Sequence, residues 1–351
     1  MTSNARDQWT LAMARDWYVA QPWLVGCNFI PSNAINQLEM WQEETFDIET
    51  IGRELGWAGS IGFNAVRVFL HDLLWEQDEK GFVERIERFL ETASRSGIAT
   101  MFVMFDGVWD PFPGVGPQRA PRPHVHNSGW VQSPGAAILS DRERHDELQS
   151  YVSGVIGAFR DDERVLAWDL FNEPDNPNPA YGDREPPDKA RNAVSLLGKA
   201  FGWARKVGAT QPLTAGIWQG HVSGDGMSEM SRLMLAESDV ISFHSYMDAE
   251  RVAGRISELE EHGRPILLTE YMSRNSGSTF ETVLPVTKQR KVAAFNWGFV
   301  SGKTQTIYPW DSWARQYEDE PEMWFHDVLR ADGTPYRDTE VALIRRLTDR
   351  S

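Results

Sequence analysis

Two glutamates close apolar runs of strand length. The first follows Val165-Leu166-Ala167-Trp168-Asp169-Leu170-Phe171 in the tripeptide Asn172-Glu173-Pro174. The second ends Ile266-Leu267-Leu268-Thr269-Glu270-Tyr271, 97 residues later. Such runs suit strands of a parallel sheet covered on both faces. Pro174 marks a chain leaving the ladder, because its ring cannot donate and holds the preceding residue extended. Two carboxylates facing across one pocket can cleave a glycosidic bond. One protonates the leaving oxygen, and the other attacks the anomeric carbon or activates a water that does. The plainer reading is a pair of ion-paired rim carboxylates.

The elements that must position them repeat along the chain. Eight strand-like runs begin near Trp23, Asn64, Ala99, Val165, Pro212, Val240, Pro265 and Ala293. Helical stripes lie between them: Phe82, Ile86, Phe89, Leu90 and Ala93; Leu148, Val152, Val155, Ile156 and Phe159; and Ala190, Val194, Leu197 and Phe201. This alternation, without a linker, predicts one (β/α)₈ barrel over residues 1–351, with 1–20 as an N-terminal extension. No glycine-rich phosphate fingerprint follows the first run, which disfavours a dinucleotide-binding sheet.

Ends of successive strands then form one rim. Strand two brings Arg67, His71 and Asp72; strand four, Asn172 and Glu173; strand five, Trp218. Strand six brings His244 and Tyr246, which share a face, strand seven Glu270, and strand eight Trp297. Strands three and four begin 66 residues apart, leaving Asp106 to Asp141 as a long loop with Trp109, His124, His126 and Trp130. A connection of that length is expected to wall the pocket. A polar first loop, Pro31 to Glu44, is expected to help close it. Beyond strand eight, Lys303, Gln305, Trp310, Asp311 and Trp313 make a polar-aromatic loop suited to sugar recognition.

Composition narrows the classes. Hydrophobic content of 41% and charged content of 25% fit a chain with a real core, and no window is apolar enough for a membrane span. A net charge of −16 argues against nucleic acid or an anionic membrane as partner. Cys27 stands alone, so no intrachain disulfide forms. With no secretory signal read in Met1 to Arg15, a cytoplasmic location is expected.

Asn172-Glu173-Pro174, Glu270, Arg67, His244-Ser245-Tyr246 and Trp297, in this strand order, resemble the retaining clan-A glycoside hydrolases, with family 5 the nearest. The resemblance spans roughly residues 20 to 350. It implies Glu173 as acid/base and Glu270 as nucleophile. It also implies that Asn172 binds the hydroxyl beside the anomeric carbon, that Arg67 and Tyr246 touch Glu270, and that Trp297 floors the subsite of the attacked sugar. The chain departs from the family in Met104-Phe105-Asp106-Gly107, where an aspartate stands in place of a histidine commonly found after the third strand. His71 or a loop histidine is a candidate replacement.

The expected activity is therefore retaining hydrolysis of β-glycosides without a cofactor or metal, exo-acting on short β-linked oligosaccharides or glycoconjugates. The expected substrate contacts are Arg67, His71, Asp106, Trp130, Asn172, Trp218, His244, Tyr246 and Trp297. The alternatives are an endo-acting cellulase, mannanase or xylanase type, a non-catalytic carbohydrate-binding barrel, and a metal-dependent hydrolase. The pair His124 and His126 superficially resembles a metal site but lies in an irregular loop.

Overall fold

A computed structural model describes residues 6–349. Its strands are β1 (Val25–Asn28), β2 (Ala65–Phe69), β3 (Ala99–Val103), β4 (Val165–Asp169), β5 (Leu213–Thr214), β6 (Ile241–His244), β7 (Ile266–Tyr271) and β8 (Ala293–Asn296). Each begins within two residues of the start expected from its apolar run. All pairings are parallel, in the order β5-β4-β3-β2-β1-β8-β7-β6. The ring closes between β5 and β6 through Ile217, whose N–H donates to Ser242 O at 2.9 Å while its carbonyl accepts from His244 N at 3.0 Å. β5 is short, and just beyond it Gly216 lies so close to His244 that an added Cβ would stand 2.9 Å from its Nε2. The expected (β/α)₈ barrel is the fold observed.

The helices are α1 (Leu11–Val19), α2 (Gln37–Trp41), α3 (Ile48–Ile61), α4 (Asp72–Arg95), α5 (Ala136–Leu139), α6 (Gln149–Ala158), α7 (Lys189–Val207), α8 (Glu229–Glu237), α9 (Ala249–Glu260), α10 (Phe280–Arg290) and α11 (Asp338–Leu347). The stripes on α4 and α6 are buried as expected. The stripe on α7 is met in part: Ala190 is exposed and Val194 is half-buried against the core. Leu197 and Phe201 of that stripe are buried as expected, and the buried face continues through Ala193, Leu196, Ala200 and Ala204. That face packs against α6.

The expected N-terminal extension covers the bottom of the barrel. Trp9 N donates to Asp239 Oδ1 at 2.8 Å, and Trp17 and Tyr18 pack under Leu24, Ala65, Met101, Ala167 and Leu267. Residues 1–5 lie outside the described part. Cys27 is buried in the barrel wall, and burial pushes its thiol well above the usual range.

Candidate active site

Glu173 and Glu270 leave β4 and β7 on the same rim, and one carboxylate oxygen from each comes within 4.8 Å of the other. Both residues are recessed, at 8% and 5% exposure. Glu173 holds a left-handed backbone, φ 42°, which costs a non-glycine residue about 1–3 kcal/mol and turns its side chain inward. The turn is packed from below. A Cβ on Gly107 would come within 2.4 Å of Glu173 O, so only glycine fits that floor.

Arg67 organises the inner side. Its Nη1 donates to Glu270 Oε1 at 3.0 Å and to Asn28 Oδ1 at 2.8 Å. Nη2 reaches Asn172 Oδ1 at 2.7 Å and Asp169 Oδ2 at 2.8 Å, and Nε donates to the same Asp169 oxygen at 3.0 Å. The other Glu270 oxygen accepts from the Tyr246 hydroxyl at 2.7 Å. Burial, and then the neighbouring Glu173, pushes the Glu270 carboxyl above its ordinary range; Arg67 and the Tyr246 hydroxyl oppose that. Glu270 is thus the member of the pair arranged to carry charge.

Glu173 has no such cation in contact. Its Oε2 accepts from Asn176 Nδ2 at 2.6 Å and its Oε1 lies 2.7 Å from His244 Nδ1. Burial raises its pKa to about 7, so it holds a proton near neutrality. Burial also lowers His244 to about 4, keeping the imidazole neutral. A neutral ring accepts from protonated Glu173 at Nδ1, or donates there to its carboxylate, so the contact persists through proton transfer.

A cleft of about 780 Å³ opens over this pair, within the roughly 300–1,000 Å³ of small-molecule sites. Of the expected contacts, Asp106, Trp130, Asn172, Trp218, Tyr246 and Trp297 line it. Arg67, His244 and His71 do not. Arg67 is fully buried behind Glu270 with all three nitrogens engaged, and His244 sits beneath the two glutamates, so both position rather than touch. His71 is buried as the N-cap of α4, its Nδ1 accepting from Leu73 N at 3.2 Å.

The long third loop does wall the cleft, through Trp109, Arg122, His126, Asn127 and Trp130. The first loop does not reach it; it lies behind, where Gln37 Nε2 donates to Val131 O at 3.1 Å and Asn36 Nδ2 to Gly129 O at 2.9 Å. The loop after β8 supplies the adjoining wall with Trp310, Trp313 and His326. Within it Lys303 pairs with Glu39 at 2.6 Å, and Gln305 accepts from His124 N at 2.7 Å, both holding the wall in place. Asn176, Asn127 and His326 were not foreseen. Asn176 follows Glu173 by three residues in a loop, and His326 belongs to no motif.

Glu173, His244 and Glu270 are also the one group of three or more metal-ligand side chains whose atoms converge among the described residues. His244 Nδ1 is already bonded to Glu173, and Glu270 to Arg67 and Tyr246, so the convergence is accounted for by their mutual hydrogen bonds. His124 and His126 each turn Nδ1 to a backbone carbonyl, of Tyr317 and Tyr308, instead of toward each other's ligand site.

The family model for cellulase (glycosyl hydrolase family 5) matches residues 57–314, well over half of the chain. The chain belongs to glycosyl hydrolase family 5. As a family 5 glycoside hydrolase it shares its fold with solved relatives. A Streptomyces cattleya GH5_18 enzyme variant in complex with Manβ1-4GlcNAc superposes with TM-score 0.59 at 15% identity, covering 92% of this chain and 80% of that one. The β-mannanase of the blue mussel Mytilus edulis gives TM-score 0.57 at 14% identity, with 85% and 92% covered. The exo-β-1,4-mannosidase Op5Man5 from Opitutaceae bacterium strain TAV5 gives 0.61 at 17% identity, with 100% and 62% covered. No curated protein sequence matches significantly.

Proposed function

We propose that this family 5 enzyme is a retaining, exo-acting β-mannosidase of short β-linked oligosaccharides or glycoconjugates. The observation that carries the retaining reading is the approach of Glu173 and Glu270 to within 4.8 Å. Retaining pairs stand roughly 5–5.5 Å apart, whereas inverting pairs leave roughly 6.5–9.5 Å for a water. Glu270, held ionised by Arg67 and Tyr246, attacks the anomeric carbon. Glu173 gives its proton to the departing oxygen. The glycosyl ester then neutralises Glu270, the proton affinity of Glu173 falls, and Glu173 takes a proton from the water that releases the sugar.

The exo reading rests on a clasp. Trp109 of the third loop stacks on Trp313 of the loop after β8, centroids 5.1 Å apart and planes 9° apart. Trp313 Nε1 donates to His126 O at 2.8 Å. In the sheet β3 and β8 are separated by β2 and β1, so this contact joins the loops of non-neighbouring strands. Trp313 also packs on Tyr181 of the loop after β4, rings 5.5 Å apart, and we take these contacts to close one end of the cleft. Trp218, which lines the cleft and donates Nε1 to Asp175 Oδ1 at 2.7 Å, is assigned to the leaving-group side. Mannose is favoured because the structurally similar enzymes named above act on or hold mannosides. An endo-acting mannanase is the second reading, favoured by the mussel enzyme's fold. Product analysis on reduced mannopentaose separates them: release of single mannose units supports the exo reading, and mid-chain cuts overturn it.

A further inference from the structure

We propose that His126, Asn127 and His326 form a hydroxyl-recognition site at the closed end of the cleft, binding the hydroxyls of the terminal sugar remote from its anomeric carbon. The inference rests on the glycosidase reading above and adds the contacts that select the sugar ring. His326 is fully buried yet lines the cleft. Its Nδ1 faces the carbonyl of Met272, a residue held at φ 81° on the exit of β7. A carbonyl only accepts, so Nδ1 carries the hydrogen and Nε2 presents a lone pair. That Nε2 has no protein partner. His126 repeats the arrangement: Nδ1 lies 2.8 Å from Tyr308 O, and the ring stands 5.3 Å from that of His326. Burial holds His126 down at about 4 and His326 well below its ordinary value, so both rings are neutral acceptors.

Asn127 adds the complementary chemistry. Both its amide oxygen and its amide nitrogen are buried without a partner, although the side chain borders the cleft. Leaving such groups unpaired costs about 1–3 kcal/mol each, which a ligand in the cleft removes. Their place is beside the reacting centre, since the His326 ring is 5.6 Å from that of Tyr246, whose hydroxyl is bonded to Glu270. Neutral lone pairs take O–H donors and repel carboxylate or phosphate, while an amide takes a hydroxyl in either sense. The set therefore selects an uncharged, unsubstituted polyol. The family resemblance assigns Asn172, which lines the cleft, to the hydroxyl next to the anomeric carbon, so those on C3, C4 and C6 remain for this group.

The test compares kcat/KM on an aryl β-glycoside, the one the wild type hydrolyses fastest, with its 3-, 4- and 6-deoxy counterparts, for wild type and for His326→Phe and Asn127→Asp. The expected result is a loss of about 10- to 100-fold on at least one deoxy sugar in wild type. A similar loss is expected for His326→Phe on the parent sugar, with no further loss when that variant meets the matching deoxy sugar. Wild type hydrolysing all three deoxy sugars as fast as the parent overturns the proposal, even where a variant fails to fold. A variant loss that is the same on every sugar overturns it too, while leaving the glycosidase reading intact. Wild type turning over no aryl β-glycoside overturns both.

Discussion

Asp106 Oδ1 accepts from Asn172 Nδ2 at 2.9 Å, and this bond fixes which way the asparagine amide faces. Arg67 donates to the opposite end of the same amide at 2.7 Å, so one N–H of Asn172 is left for substrate. Asp106 also receives Trp130 Nε1 at 2.6 Å, Val108 N at 3.1 Å and Gln37 Nε2 at 3.3 Å. With four donors on two oxygens, the aspartate that departs from the family pattern orients a neighbour and supports the Trp130 wall. Asp106→Asn sets an amide N–H against those donors. Its kcat/KM is expected to fall by at least about tenfold on a parent glycoside and by much less on the 2-deoxy sugar.

The pH profile follows from the proton on Glu173. An acid with a pKa of about 7 works below that value, so activity is expected to fall as pH rises through about 7 and, on the acid side, as Glu270 takes a proton. Asn176 donates to Glu173 and favours its carboxylate. Asn176→Ala is therefore expected to move the alkaline limb upward; a downward movement would contradict the assignment.

The same group ties stability to pH. Glu173 has a folded pKa raised from 4.5 to about 7, so its contribution to stability is full below about pH 4.5 and is lost as pH rises through 7. The loss amounts to about 3 kcal/mol at pH 8. Glu173→Gln is expected to raise Tm at pH 8 relative to wild type by more than it does at pH 5, as thermal unfolding at the two pH values would show.

Arg67 holds two buried carboxylates, Asp169 and Glu270. Arg67→Met leaves both without their cation and is expected to cost about 3–5 kcal/mol in denaturant unfolding, along with most activity. Lysine is not expected to rescue it, because one ammonium cannot span the four acceptors.

The clasp makes a separate prediction. Trp313→Ala removes the Trp109 stack and the bond to His126 O. Chromatography of mannopentaose digests is expected to show a smaller share of single-sugar release and more internal cleavage than wild type.

The barrel was readable because its strands are buried on both faces and so appear as unbroken apolar runs. Glu173, Glu270, Tyr246 and Trp297 are readable because each lies at or just past the end of such a strand, and Arg67 because it is a charge inside one. The third loop showed itself as an overlong gap between two strands. The loop after β8, from Trp297 to Arg337, has no following strand to reveal its length, so His326 escaped notice. His71 was misread because a helix cap and a rim ligand both sit just past a strand. Nothing local distinguishes the α7 face that packs from the one beside it; the partner helix decides.

The pairing of a charged Glu270 with a protonated Glu173 across one anomeric carbon is tested most directly by proton NMR of the first sugar released from an aryl β-mannoside. Double displacement predicts the β-anomer first, with the α-anomer growing in only by mutarotation. Immediate appearance of the α-anomer would mean single inversion, and Glu270 could not then be the nucleophile.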